Sequence, residues 1–249
     1  MLAKKQKVES DANELNKLLI SECKDIDYEE DRLGVPQLLA LGADPKFFDE
    51  SGKSALQSAL SNEYRADVRG ITLLLEHGAD PNRHFSNGNT PLLELLPDPG
   101  HYFFGALQSG QTGRKSYGAA APRGALRHKE NTLEVLHLLL QHKADPNLAH
   151  GHQAEVYHYQ EDDDSSEDKY DIENGIGRTP LMVAAHTRNI NYVKLLLKNG
   201  ADVNQTNAAG KTILELMEEE EPKIRSNERS FSEVVKLCTQ YLVVKPKLK

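Results

Sequence analysis

Residues Gly177–Asn204 read GRTPLMVAAHTRNINYVKLLLKNGADVN, and their punctuation decides the fold. Thr179 offers a hydroxyl to the unpaired N–H groups of a first helical turn, and Pro180 follows where a missing N–H costs nothing. A short helix therefore starts here. Leu181, Val183, Ala184 and Ala185 give it a small-residue face that a second helix can approach closely, and Arg188 and Asn189 form the polar break that follows. The second helix is apolar at Val193, Leu196 and Leu197, at helical spacing, with Tyr192 and Leu195 widening the stripe. It ends at Gly200, since glycine just past the last apolar residue takes the left-handed conformation without a Cβ penalty. Ala201-Asp202-Val203-Asn204 then leads into a turn.

The unit recurs. Gly-Ala-Asp stands at Gly42, Gly78 and Gly200, and a variant, Lys143-Ala144-Asp145, lies between the last two, giving intervals of 36, 65 and 57 residues. The start signals Ser54-Ala55-Leu56, Thr90-Pro91-Leu92, Thr179-Pro180-Leu181 and Thr212-Ile213-Leu214 are separated by 36, 89 and 33 residues. Both marks place the same excess length between the second and fourth endings, so one register explains them.

With helix, turn, helix and hairpin in about 33 residues and a Thr-Pro-Leu opening, the chain resembles the ankyrin-repeat family. The resemblance covers nearly everything except two insertions and the extreme tails. It implies an all-α solenoid of helix-turn-helix units with two large insertions, forming a single domain over 1–249. The units run over about 11–48, 49–84, 85–149 with insertion 97–130, 150–206 with insertion 150–176, and 207–245. One departure is that the family's His after Thr-Pro-Leu is Gln57, Leu93, Met182 and Glu215 here, so polar ties between repeats are expected to be weaker. The other is Lys143 in place of glycine, which puts a Cβ at a left-handed position and costs on the order of 1 kcal/mol if the geometry is kept.

Composition agrees with a thin repeat layer: hydrophobic residues make up 38% of 249, and Trp is absent. In a repeat array length measures repeat number, so one elongated domain accommodates it. A formal charge of −8 without a basic stripe disfavours nucleic acid as partner. The start, MLAKKQKVESDANEL, lacks the apolar run of a signal peptide, and no stretch approaches the roughly 18 apolar residues of a membrane span. A soluble, monomeric, cytoplasmic protein is expected. Cys23 and Cys238 belong to the first and last units, too far apart to pair across stacked helices, which fits a reducing compartment.

The terminal units look like caps. Residues 11–25 place Leu15, Leu18, Leu19 and Cys23 on one helical face, with Leu38, Leu39 and Leu41 in a second helix. At the other end Phe231, Val234, Val235, Cys238, Tyr241 and Leu242 share a face. In the third unit the helix from Thr132 to His142 carries Leu133, Leu136, Leu139 and Leu140 inward.

The insertions hold the only motifs suggestive of chemistry. Gly105–Thr112, GALQSGQT, approximates a phosphate loop, but Gln111 stands where the phosphate-binding Lys belongs and no strand precedes it. Tyr102, Phe103 and Phe104 beside it either pin the loop or form a contact patch. Asp162 to Glu173 imitates a calcium loop yet has Glu167 where the sharp turn needs glycine. His150, His152 and His158 beside these carboxylates could compose a zinc site. A solvated acidic loop, dispensable for folding, is the better account. Ser165 resembles an acidic-directed kinase acceptor, and Asn82, Asn147 and Asn204 resemble the positions that asparaginyl hydroxylases modify in ankyrin proteins. No cofactor is expected.

The resemblance implies a non-catalytic interaction module, an adaptor or scaffold, possessing a concave face lined by hairpin tips and first helices. Carried onto this sequence, that face includes Glu50, Lys53, Asn62, Asn87, Asn89, Arg178, His186, Thr187 and Lys211. Lys53, Arg178 and Lys211 hold the same hairpin position, so stacking would bring them into one row reading a partner's carboxylates. The family serves both eukaryotic cytosolic proteins and bacterial effectors acting in a host cytoplasm, and the sequence fits either. The alternative class is an enzyme or metal-dependent switch built on the two insertions.

Overall fold

The computed structural model describes residues 2–24, 34–61, 67–96, 123–151, 177–220 and 229–244. Ten α-helices lie among them: α1 (Leu2–Lys24), α2 (Val35–Ala40), α3 (Ala55–Leu60), α4 (Val68–Glu76), α5 (Pro91–Leu95), α6 (Arg123–Gln141), α7 (Pro180–His186), α8 (Ile190–Lys198), α9 (Ile213–Glu220) and α10 (Arg229–Val244). An isolated bridge joins Phe48 and Ser54, and no strand occurs among the described residues. The fold is all-α.

Hydroxyl and amide caps start the helices as their sequences require. Ser54, Thr90 and Thr179 accept from the N–H three residues on, in Gln57, Leu93 and Met182, at 3.1, 3.3 and 3.3 Å. Thr212 goes further. Its Oγ1 accepts from Glu215 N while Glu215 Oε2 accepts from Thr212 N at 2.7 Å, a reciprocal capping box at the start of α9. Asn189 caps α8 by accepting from the N–H groups of Asn191 and Tyr192.

All four repeat endings share one turn. The N–H groups of Ala43, Ala79, Ala144 and Ala201 donate to Leu38, Leu74, Leu139 and Leu196. Those of Gly42, Gly78, Lys143 and Gly200 donate to Leu39, Leu75, Leu140 and Leu197. This pair of backbone bonds requires a left-handed residue, and φ is 91° at Gly200 and 68° at Lys143. Lys143 thus keeps the glycine geometry despite its Cβ. Arg188, at φ 55°, closes α7 in the same way.

The chain divides into two compact units. In the first (Met1–Ser86 and Ala120–Ala144), α1 packs on α2 and α3, α4 packs on α2 and α3, and α6 packs on α4. Its core is leucine-rich, with Leu19, Ile71, Leu74, Val135, Leu136 and Leu139 wholly buried. In the second (Asn87–Ala119 and Asp145–Lys249), α7 packs against α5, α8 and α9, and α10 covers α8 and α9. Val193, Leu196, Val234 and Cys238 are fully buried there.

Four apolar residues expected inside are exposed: Leu18 at 50%, Leu41 at 57%, Leu133 at 36% and Tyr241 at 39%. Each continues an apolar stripe beyond the area its neighbouring helices cover. In α1 the buried set is Asn16, Leu19, Ile20 and Cys23, one register step from the expected face. Asn16 is inside because its Oδ1 accepts from Asp44 N at 2.6 Å. Helix α6 starts at Arg123 rather than Thr132, and Val135, not Leu133, is its inward residue.

Candidate protein-binding site

The turns that bear the expected contact residues are built from side chains spent on the backbone. At the first, Asp49 Oδ1 accepts from the N–H groups of Ser51 and Lys53 at 2.9 Å each and from Ser51 Oγ at 2.7 Å, while Asp49 N donates to Lys53 O. Partial burial pushes the Asp49 carboxyl up, but these bonds and the Lys53 charge outweigh it and hold the group below its usual value. At the last, Asn207 does the same work uncharged, accepting from Ala209 N at 3.1 Å and Lys211 N at 2.9 Å. The residues between each anchor and the next helix are therefore held outward on a fixed backbone.

In the first unit Glu50 and Lys53 share one tip and both are exposed. Glu50 lies 3.4 Å from Lys17 Nζ, and Lys53 has no ion pair among the described residues. Asn62 lies outside the described residues.

In the second unit Asn87 is exposed and Asn89 is buried, and both donate to Glu94 Oε2, at 2.9 and 2.8 Å. Asn89 is thus a structural residue of the α5 start. Arg178 and His186 are half-buried, and Thr187 donates its hydroxyl to Ala184 O at 2.9 Å, closing α7. Lys211 Nζ sits 2.8 Å from Glu219 Oε2, so this cation already has a carboxylate.

His150 is a structural residue that nothing in its sequence neighbourhood marks as one. Its N–H donates to Arg178 O at 3.0 Å, its Nε2 donates to Asn87 O at 3.1 Å, and Gly151 N donates to Gly88 O at 2.8 Å. At Gly88, φ is 80° and a Cβ would lie 2.7 Å from Gly151 O, so only glycine fits. The chain therefore meets itself on either side of residues 152–176, and His150 serves the backbone there.

Two asparagines tie one repeat to the next. Asn147 Oδ1 accepts from Asp202 N at 2.6 Å, its Nδ2 donates to Gly200 O at 3.1 Å, and its carbonyl accepts from Gln205 Nε2 at 2.8 Å. Asn82 Nδ2 donates to Lys143 O at 2.9 Å. Asn204 donates only locally, to Asp202 Oδ1 at 3.2 Å. The Leu-to-Asn spacing marked these residues, but nothing local in the sequence showed what they reach.

Burial pushes the Cys23 thiol up to about 12, helped by the charges of Asp67 and Glu22, and burial pushes Cys238 up to about 11. Burial therefore favours the protonated thiol at both positions near neutral pH. The phosphate-loop-like stretch 105–112, the aromatic triplet 102–104, His152, His158, Ser165 and the acidic stretch 162–173 lie outside the described residues. No described helix is long and apolar enough to cross a membrane.

Helix pairs joined by fixed outward turns define a helical-repeat protein. A comparison with protein families matches the ankyrin repeat over residues 176–208, the stretch containing α7 and α8, and the three further endings share the turn geometry of that stretch. A search of curated proteins gives no match. Repeats of this family act in protein–protein interaction and are generally non-catalytic.

Proposed function

We propose that this chain is a non-catalytic adaptor or scaffold that binds a protein partner through its turn tips and first helices, as a monomer in a cytoplasm. The observation carrying this reading is the division of labour at the tips. Asp49 and Asn207 are consumed in holding the turn, whereas Glu50, Lys53, Ala208 and Ala209 project from it exposed. A backbone fixed in advance lowers the entropic cost of binding, and exposed side chains on it set the specificity. Two free, buried cysteines support a reducing compartment.

Within the first unit Lys53 is the cation best placed to meet a partner, and within the second Lys211 contributes where a partner's carboxylate displaces Glu219. Cross-linking mass spectrometry on the full chain, with partners first captured from cell extract, tests the reading. Cross-links should concentrate at Lys53 and Lys211, and Lys53→Glu with Lys211→Gln should abolish capture while the melt falls only by the small loss of the Lys211–Glu219 pair. Partners retained equally by that variant, with cross-links elsewhere, would overturn the tip assignment.

A further inference from the structure

A second surface, apart from the exposed tips, has the makings of a binding site. Between the turns at 44–54 and 78–85, within the first unit, lies a cavity of about 370 Å³ walled by Pro45, Phe48, Pro81 and Phe85, with Lys46 and Arg83 at its edge. That volume is at the small end of ligand-sized clefts, roughly 300–1,000 Å³. It suits one or two side chains.

The charges around it are unevenly committed. Asp44 Oδ1 accepts from Lys46 N, and Asp80 Oδ1 accepts from Asn82 N, both at 2.9 Å, so each neighbouring carboxylate holds its own turn. Lys46 and Arg83, both exposed, have no ion pair among the described residues. The Arg83 guanidinium lies 4.0 Å from the centroid of the Phe48 ring. Stacking of this kind occupies the flat face of the guanidinium and leaves its in-plane N–H edge to donate, the edge that matches a carboxylate bidentately. The Lys46 stem passes over Gly78, where an added Cβ would lie 3.2 Å from its Cε, and the residue is exposed, so the ammonium stays in water.

We propose that this cleft binds an acidic segment of a protein partner, its carboxylate received by Arg83 and Lys46 and an adjoining apolar side chain seated against Phe48, Phe85 and the two prolines. The site rests on the protein-binding reading and supplies the chemistry of one partner segment. A peptide fits better than a nucleic acid. Two cations beside Asp44 and Asp80, on a chain of formal charge −8, cannot track a phosphate backbone, but they can pair with a single carboxylate.

Selection of a random peptide display library on the full chain, with counter-selection on Lys46→Glu/Arg83→Glu, tests the proposal. Both residues are exposed, so the variant should melt with the parent. The expected result is enrichment of peptides with Asp or Glu next to an apolar residue, whose affinity by fluorescence anisotropy falls at least about tenfold in the variant and weakens with salt. Peptides that bind parent and variant alike would overturn this site but leave the protein-binding reading standing. Absence of enrichment would also overturn it, and the cross-linking experiment would then judge the broader reading alone. Binding of a short RNA that is lost in the same variant would replace the acidic peptide with a phosphate ligand and contradict the proposal.

Discussion

The turns that end α8 and α6 make the same two backbone bonds around different residues. Gly200 takes φ 91° freely, whereas Lys143 is held at φ 68° although a left-handed residue with a Cβ costs roughly 1–2 kcal/mol. Each C′ carbonyl also receives an asparagine from the preceding turn, Asn147 at Gly200 and Asn82 at Lys143. The difference teaches that this turn is imposed by its surroundings. Two Schellman bonds and a neighbour's amide together outweigh the backbone preference of the residue in the middle.

The sharpest way to break the comparison is to remove the helix beneath each turn. Leu196 and Leu139 are wholly buried and supply the carbonyls that the two turns use. Leu196→Asp or Leu139→Asp buries a charge with no partner, at a cost of several kcal/mol, and urea melts should show each as largely unfolded under conditions where the parent is native.

Next come the asparagines. Asn147→Ala loses the bonds to Asp202 N and Gly200 O and leaves those groups short of partners, an expected loss of about 1–3 kcal/mol. Asn82→Ala, which removes the amide bond to Lys143 O, should lower the same melts at the other ending.

Exchanging the C′ residues gives a smaller effect of opposite sign at the two sites. Lys143→Gly relieves the left-handed strain but adds freedom to the unfolded chain, so a gain below about 1 kcal/mol is expected. Gly200→Lys should lose a similar amount, and equal melts for all three proteins would show that the strain argument fails.

The N-terminal ends offer the finest contrast, because α7 has Met182 where α9 has the reciprocal Glu215. The backbone N–H of Thr212 first, then its hydroxyl and the Lys211 charge, hold the Glu215 carboxyl below its usual value of 4.5. A lowered folded value means a contribution present above the unfolded value and lost as pH falls through the folded one. Glu215→Gln should therefore melt slightly below the parent at pH 7, and the gap should close as the solution is acidified below 4.5.

Local features were the legible ones. Thr179 as cap, Pro180 after it, Gly200 as C′ and the left-handed Lys143 follow from bonding demands satisfied within a few residues. Burial was legible only in part. A helical stripe shows which residues could be buried, but Leu18, Leu41, Leu133 and Tyr241 are exposed because, among the described residues, no neighbouring helix covers that length of the stripe. The asparagine ties span 53 to 61 residues of chain, and no local pattern shows where such an amide lands. At the candidate site, Lys53 and Glu50 are exposed on one turn, a location their hairpin position implies. The burial of Asn89 and the pairing of Lys211 depend on Glu94 and Glu219, whose reach could not be read from spacing.

The claim that a neighbour's amide holds the turns ending α6 and α8 is tested most directly by amide hydrogen exchange at Asp202 in the parent and in Asn147→Ala. Asp202 N donates to Asn147 Oδ1 at 2.6 Å, and Asp44 N, which donates to Asn16 Oδ1 at the same distance, serves as the reference in the same spectrum. Asp202 should lose its protection in Asn147→Ala while Asp44 keeps its own and the melt falls. Unchanged exchange at Asp202 in the variant, or an equal rise at Asp44, would contradict the account.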